Sequence, residues 1–169
     1  MQKTLLLFGY GYSAQAVAPL ALQAGWTVIG TTRKAEVATK MQALGITARL
    51  LPDHDSTPDL QAATHLLTSA GPGESGDPLL THYDLSDQSF EWVGYLSTTG
   101  VYGDHQGGWV DENTPLTPST RRGKWRVAAE AAWQAQDLPL HIFRLAGIYG
   151  PGTKISEAAI EVLQLLKKK

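Results

Sequence analysis

Leu5-Leu6-Leu7-Phe8-Gly9-Tyr10-Gly11-Tyr12-Ser13-Ala14 decides the fold of this chain. An apolar run stops at Gly9, a tight turn follows, and a helix-like segment opens at Ser13. This order predicts a dinucleotide-binding strand, turn and helix. Gly9 permits the sharp turn, and Gly11 removes a side chain where a pyrophosphate would press on the backbone. Ala14 takes the small position where helix packs on strand. The helix N-terminus then offers unpaired N–H groups and a partial positive charge to phosphate. A lone GxGxxA also occurs in ordinary glycine turns. Its place directly after an apolar strand at the N-terminus favours the nucleotide reading.

The surrounding chain fits that unit. Its 169 residues allow one domain with a real core. A net charge of −2 gives no bulk attraction to nucleic acid or an anionic membrane. There is no cysteine, which excludes disulfides and thiolate-held metals and favours a cytoplasmic protein. No apolar run approaches the roughly 18 residues of a membrane span, and the apolar N-terminal stretch is too short for a signal peptide.

Strands are expected at 4–8, 26–30, 48–51, 65–69, 90–97 and 140–145, with helices at 13–24, 35–44 and 121–136. Pro19 predicts a bend or break in the first helix. Residues 77–89 are barely long enough for a crossover helix. The alternation predicts an α/β fold: a Rossmann-type, doubly wound, mostly parallel sheet of about six strands with helices on both faces. Residues 1–152 form this domain. Residues 155–166 read as one further helix, packed on the domain or capping it, with Ile155, Ala159, Val162 and Leu166 as an apolar stripe.

The end of the second strand bears on the cofactor. An NAD site usually carries a carboxylate there. This chain has Gly30-Thr31-Thr32-Arg33-Lys34, with hydroxyls and positive charge but no acid. A guanidinium suits a 2′-phosphate. The reading favours NADP(H), with NAD(H) as the alternative. Arg33 and Lys34 as plain solvated residues is the bland alternative.

Three later stretches carry a resemblance: STTGVYGD at 97–104, VDENTPLTP at 110–118 and RLAGIYGPG at 144–152. Together they resemble the extended short-chain dehydrogenase/reductase superfamily in its NAD(P)-dependent epimerase/dehydratase branch, over about residues 3–152. The resemblance implies an oxidoreductase or epimerase acting on nucleotide sugars or small carbonyl compounds. It implies cofactor contacts from Gly9, Tyr10, Gly11, Tyr12, Ser13 and Ala14, and from Thr32 and Arg33. Ser69, Ala70, Ser97, Arg126, Leu145 and Ala146 complete that set.

The family's proton chemistry uses a strand-five Ser or Thr, then a Tyr four residues before a Lys on the next helix. By resemblance Thr98 takes the first place. Anchored on Glu130, the Tyr place falls on Arg122 and the Lys place on Arg126. A guanidinium stays protonated near neutral pH and cannot shuttle a proton. Arg126 could reach a ribose or phosphate, and Arg122 could pin an anion; both could equally be surface residues. Tyr102 could replace the missing acid or serve as a packing residue of the VYG turn. Two function classes remain: an enzyme with modified or lost catalytic machinery, and a non-catalytic nicotinamide-dinucleotide sensor or scaffold.

No metal site is expected. Asp104, His105, Asp111 and Glu112 sit on a loop that the family uses structurally, and His54, His65, His82 and His141 share no ligand spacing. The five tryptophans, Trp26, Trp92, Trp109, Trp125 and Trp133, read as core or near-core residues. Basic and aromatic residues do not interleave as in nucleic-acid binding. Related enzymes often dimerise through helices on one sheet face, which leaves a homodimer open. Superfamily members also continue past the GPG turn into a helical region closing over substrate. One helix and a lysine end follow here, which fits a minimal member, a shortened reading frame or an engineered chain.

Overall fold

The computed structural model describes residues 2–150. Six strands form one sheet: β1 Thr4–Phe8, β2 Thr27–Thr32, β3 Thr47–Leu50, β4 His65–Thr68, β5 Trp92–Thr98 and β6 Leu140–Leu145. Their order is β3-β2-β1-β4-β5-β6, and every pairing is parallel. β1 lies at the centre and faces protein on both sides. It is accordingly an unbroken apolar run, with Leu5 to Phe8 all buried.

Alternation along the strands divides the core into two layers. On one face Leu5, Leu7, Val28 and Leu67 meet Ala14 and Ala18 of helix α1 (Tyr12–Gln23) and Met41 of helix α2 (Ala35–Ala43). On the other, Leu6, Phe8, Ile29, Leu66, Val93 and Tyr95 meet Leu60 of helix α3 (Thr57–Ala62). Ala129 and Trp133 of helix α4 (Arg121–Gln134) pack on that same face. Each fully buried leucine contributes about 1.5–3 kcal/mol. Ala14 and Ala18 let α1 lie close against the strands, as the small-residue position predicts.

The expected doubly wound α/β fold is present, with differences in detail. α1 runs through Pro19 without interruption. A proline leaves one carbonyl of the preceding turn without its helical donor, and burial of Ala14 and Ala18 holds the helix in place regardless. β2 continues to Thr32, because Thr31 and Thr32 pair with Arg49 and Leu50 of β3. α3 shows no period, because six residues are too few; its local cues are Ser56 at the N-cap, a proline in the first turn and Asp59. Residues 77–89 cross over as turns rather than a helix. Asp77 caps the Leu79 and Leu80 amides there, and Leu79, Leu85 and Phe90 anchor the stretch in the core.

Of the tryptophans, Trp133 alone is buried, while Trp109 is fully exposed and overturns its expected core placement. No helix among the described residues is long and apolar enough to cross a membrane. The expected helix at 155–166 lies outside the described residues.

Candidate functional site

The strand order reverses between β1 and β4, whose carboxyl ends open a crevice. In parallel α/β sheets, ligands bind at such a switch point. Gly9 and Ser69 face each other across it. Gly9 adopts φ +95°, a conformation that favours glycine. A Cβ there would sit 3.1 Å from both the Ala70 nitrogen and the Ser69 Oγ. The Ser69 hydroxyl donates to the Gly9 carbonyl at 2.8 Å. From the other side the Gly9 amide donates to Thr31 Oγ1 at 2.8 Å, and the Tyr10 amide to the Thr31 carbonyl at 2.9 Å. The turn is thus clamped from both neighbouring strands.

Gly11 differs from Gly9. Its φ of −84° is ordinary, and it precedes the first turn of α1 with no side-chain cap. A Cβ there would meet only Ser69 Oγ, at 4.0 Å. The residue is exposed, so the space above it is open. Tyr12, Ser13 and Ala14 follow and begin the helix. Burial raises the pKa of the half-buried Tyr10 phenol.

Thr31 is buried within β2, and its hydroxyl is engaged by Gly9, so it offers no hydroxyl outward. Thr32 Oγ1 accepts from the Lys34 amide at 3.2 Å and shapes the exit from β2. Arg33 is exposed and forms no ion pair among the described residues.

Around the β5–α4 junction, Thr98 caps a short 3-10 turn, and its hydroxyl accepts from the Gly100 amide at 3.2 Å. Gly123 of α4 packs on that turn; a Cβ there would lie 2.9 Å from the Gly100 carbonyl oxygen. Arg122, beside it, is exposed. Arg126 turns inward and donates to the Tyr95 hydroxyl at 3.1 Å and the Leu96 carbonyl at 2.9 Å. A Cβ added to Gly71, on the loop after β4, would lie 3.6 Å from its other terminal nitrogen. Arg126 therefore borders the crevice, while Arg122 lies outside on the surface. Burial pushes the Tyr95 phenol up to about 12, against the opposing pull of Arg126.

A second network lies under this edge. Arg144 of β6 donates to the Glu130 carboxylate through Nε at 3.1 Å and a terminal nitrogen at 2.9 Å. The Ser97 hydroxyl donates to the same carboxylate. Arg144 also donates to the Tyr102 hydroxyl at 3.0 Å, and its guanidinium lies 5.1 Å from the Tyr102 ring centre. Hydrogen bonding to Glu130 raises the Arg144 pKa. Ser97 and Tyr102 are thus both buried, with their hydroxyls directed into this network. Leu145 ends β6 at the same sheet edge and is half-buried; Ala146, just after the strand, is exposed.

Sequence reasoning missed Thr31 as the clamp on the glycine turn, and Arg144 as the partner of Glu130. The available signal was a carboxylate beside Ala129 and one turn before Trp133, which a buried site tolerates only when paired. It also missed His54, whose Nε2 lies 2.7 Å from the buried Asp59 carboxylate that Arg49 grips. Asp104 and Asp111 accept backbone amides from their own loop, and His105 bonds the Tyr102 carbonyl. Among the described residues no cluster could hold a metal ion.

A Bacillus cereus UDP-glucuronic acid 4-epimerase in complex with NAD superposes with a TM-score of 0.74 at 18% identity, over 98% of this chain and 64% of that one. The fold is that of the NAD-dependent epimerase and dehydratase enzymes. A Bacillus anthracis dTDP-glucose 4,6-dehydratase in complex with NAD gives the same picture: TM-score 0.69, 17% identity, 99% of this chain and 62% of that one. A conserved, functionally unknown protein from Silicibacter pomeroyi is 51% identical, with a TM-score of 0.82, over 89% of this chain and 55% of that one. The chain therefore spans between 55% and 64% of the length of these three proteins. No protein-family model and no curated protein matches it.

Proposed function

We propose that this chain is a nicotinamide-dinucleotide-binding protein of the epimerase/dehydratase branch, with modified or lost catalytic machinery. The observation that carries the reading is the open, Cβ-free position of Gly11 at the start of α1, beside the clamped Gly9 turn. Backbone amides at a helix N-terminus favour a pyrophosphate. In this reading the Gly9-Tyr10-Gly11 turn and the first turn of α1, with Tyr12, Ser13 and Ala14, hold the pyrophosphate. Ser69 and Ala70 wall the crevice.

The exposed, unpaired guanidinium of Arg33 supports a preference for NADP(H) over NAD(H), since no carboxylate ends β2. Arg126 and the exit of β6, Leu145 and Ala146, flank the nicotinamide end. When bound, the cofactor supplies hydride chemistry. The chain's own residues bind, orient and hold charge there. Thr98 orients a hydroxyl or carbonyl of a nucleotide sugar or small carbonyl compound. Arg126 stabilises negative charge rather than carrying a proton, while Arg122, on the surface, is left to meet an anion only from outside the crevice.

The second reading is a nicotinamide-dinucleotide sensor or scaffold without turnover. It is favoured by Tyr102, a phenol close to the end of β5, being buried with its hydroxyl against Arg144. Titration of NADPH and NADH, followed by nicotinamide fluorescence, tests the binding reading common to both. Saturation at submillimolar concentration is expected, and no saturation with either would overturn it. Hydride transfer assayed with nucleotide sugars and small carbonyl compounds separates enzyme from sensor.

A further inference from the structure

The two halves of the sheet differ at their carboxyl ends. In a doubly wound sheet each half takes one mononucleotide of a dinucleotide, with the pyrophosphate between them. Here β1, β2 and β3 form the adenosine half, and β4, β5 and β6 the nicotinamide half. The adenosine half is open. Gly11 is exposed, a Cβ on it would meet nothing nearer than Ser69 Oγ at 4.0 Å, and Arg33 stands exposed at the exit of β2.

The nicotinamide half is bridged. Arg126 reaches from α4 to the loop after β4, and a Cβ on Gly71 would touch its tip at 3.6 Å. Its other terminal nitrogen is held by the Tyr95 hydroxyl at 3.1 Å and the Leu96 carbonyl at 2.9 Å. Both lips of this half are fixed as well. On one, the Gly73 and Gly76 amides each donate to the other's carbonyl, at 3.0 and 3.2 Å, and Asp77 caps the Leu79 amide at 2.9 Å. On the other, Gly123 seats α4 against the turn at Gly100. Clearing this half takes Arg126 off two acceptors and strips the buried Tyr95 hydroxyl of this partner.

We propose that Arg126 bars the nicotinamide half of the crevice, so that this chain recognises the 2′-phosphorylated adenosine diphosphate part of its ligand and leaves the nicotinamide ring in water. The inference rests on the nucleotide-binding reading and adds which chemistry is recognised. Both anchoring groups belong to the open half: the amides beside Gly11 take the pyrophosphate, and the Arg33 guanidinium takes the 2′-phosphate. Thr98 then meets no nicotinamide ring, and the form without turnover follows.

Calorimetry on the unaltered 169-residue chain compares NADPH with 2′-phospho-ADP-ribose, which keeps the pyrophosphate and the 2′-phosphate and lacks the nicotinamide ring. The two should bind within about threefold of each other. NADPH binding tighter by about tenfold or more would show that the ring is held, and would overturn the proposal. Binding of neither would overturn the nucleotide reading itself, and the proposal with it. The anisotropy of NADPH emission should rise on binding while its maximum stays where it lies in water; a shift to the blue would put the ring inside the protein. Arg126→Ala should open the barred half: NADPH should bind about tenfold more tightly, with 2′-phospho-ADP-ribose unchanged. Weaker binding of NADPH alone would make Arg126 a contact to the nicotinamide end rather than a bar, and would also overturn the proposal. The comparison in the unaltered chain decides even where Arg126→Ala folds poorly.

Discussion

Arg126 donates to the Tyr95 hydroxyl at 3.1 Å, joining the helix-four position where the family resemblance expects a lysine to the middle of β5. The guanidinium also holds the Leu96 carbonyl and lies 5.6 Å from the Tyr95 ring centre. One arginine thus fixes α4 to the sheet edge while bordering the crevice.

The Tyr95 phenol is raised to about 12 from an ordinary value of 10.0. A group whose folded pKa is raised contributes stability below its unfolded pKa, and that stability is lost as pH rises through the folded value. The chain should lose stability between about pH 10 and 12 as burial resists ionisation. Tyr95→Phe should show a shallower loss over the same window. Urea unfolding of both chains at stepped alkaline pH measures the difference, and parallel curves would refute the assignment.

Glu130 is 1% exposed and holds both Arg144 and Ser97. Removing one partner of a buried ion pair leaves the other charge uncompensated. Glu130→Gln should therefore destabilise the fold by about 3–5 kcal/mol. A shift in the urea midpoint with unchanged slope is the expected result. A loss below about 1 kcal/mol would mean that the pair behaves like an exposed one.

The two glycines of the cradle should respond differently. Gly9→Ala forces a side chain into φ +95° and against Ala70, and should cost about 1–3 kcal/mol of stability. Gly11→Val meets only Ser69 Oγ at 4.0 Å, so circular dichroism and melting should change little. The valine would instead fill the proposed pyrophosphate space, and NADPH binding should disappear. Retained affinity in Gly11→Val would place the ligand elsewhere.

Arg33→Ala tests the cofactor preference. Loss of a charge-assisted contact to a 2′-phosphate should weaken NADPH binding by roughly tenfold or more. NADH, which lacks that phosphate, should change little. Equal losses for both cofactors would remove the preference.

The sequence alone determined the layered plan. The apolar run of β1, the glycine turn and the alternation of strand and helix each act through nearest neighbours or a simple period, so the order of residues reveals them. The glycine cradle and the missing carboxylate after β2 were legible for the same reason. Tertiary structure decided what a period cannot encode. Thr31 looked like a free hydroxyl until the pairing of β1 with β2 set it under the Gly9 amide. Glu130 and Arg144 are 14 residues apart, and only the packing of α4 on β6 makes them a pair. α3 was too short to show a pattern, and Trp109 gave no sign of being left in water. Short-range geometry is written in local residue order. Which buried polar groups meet depends on strand order in the finished sheet.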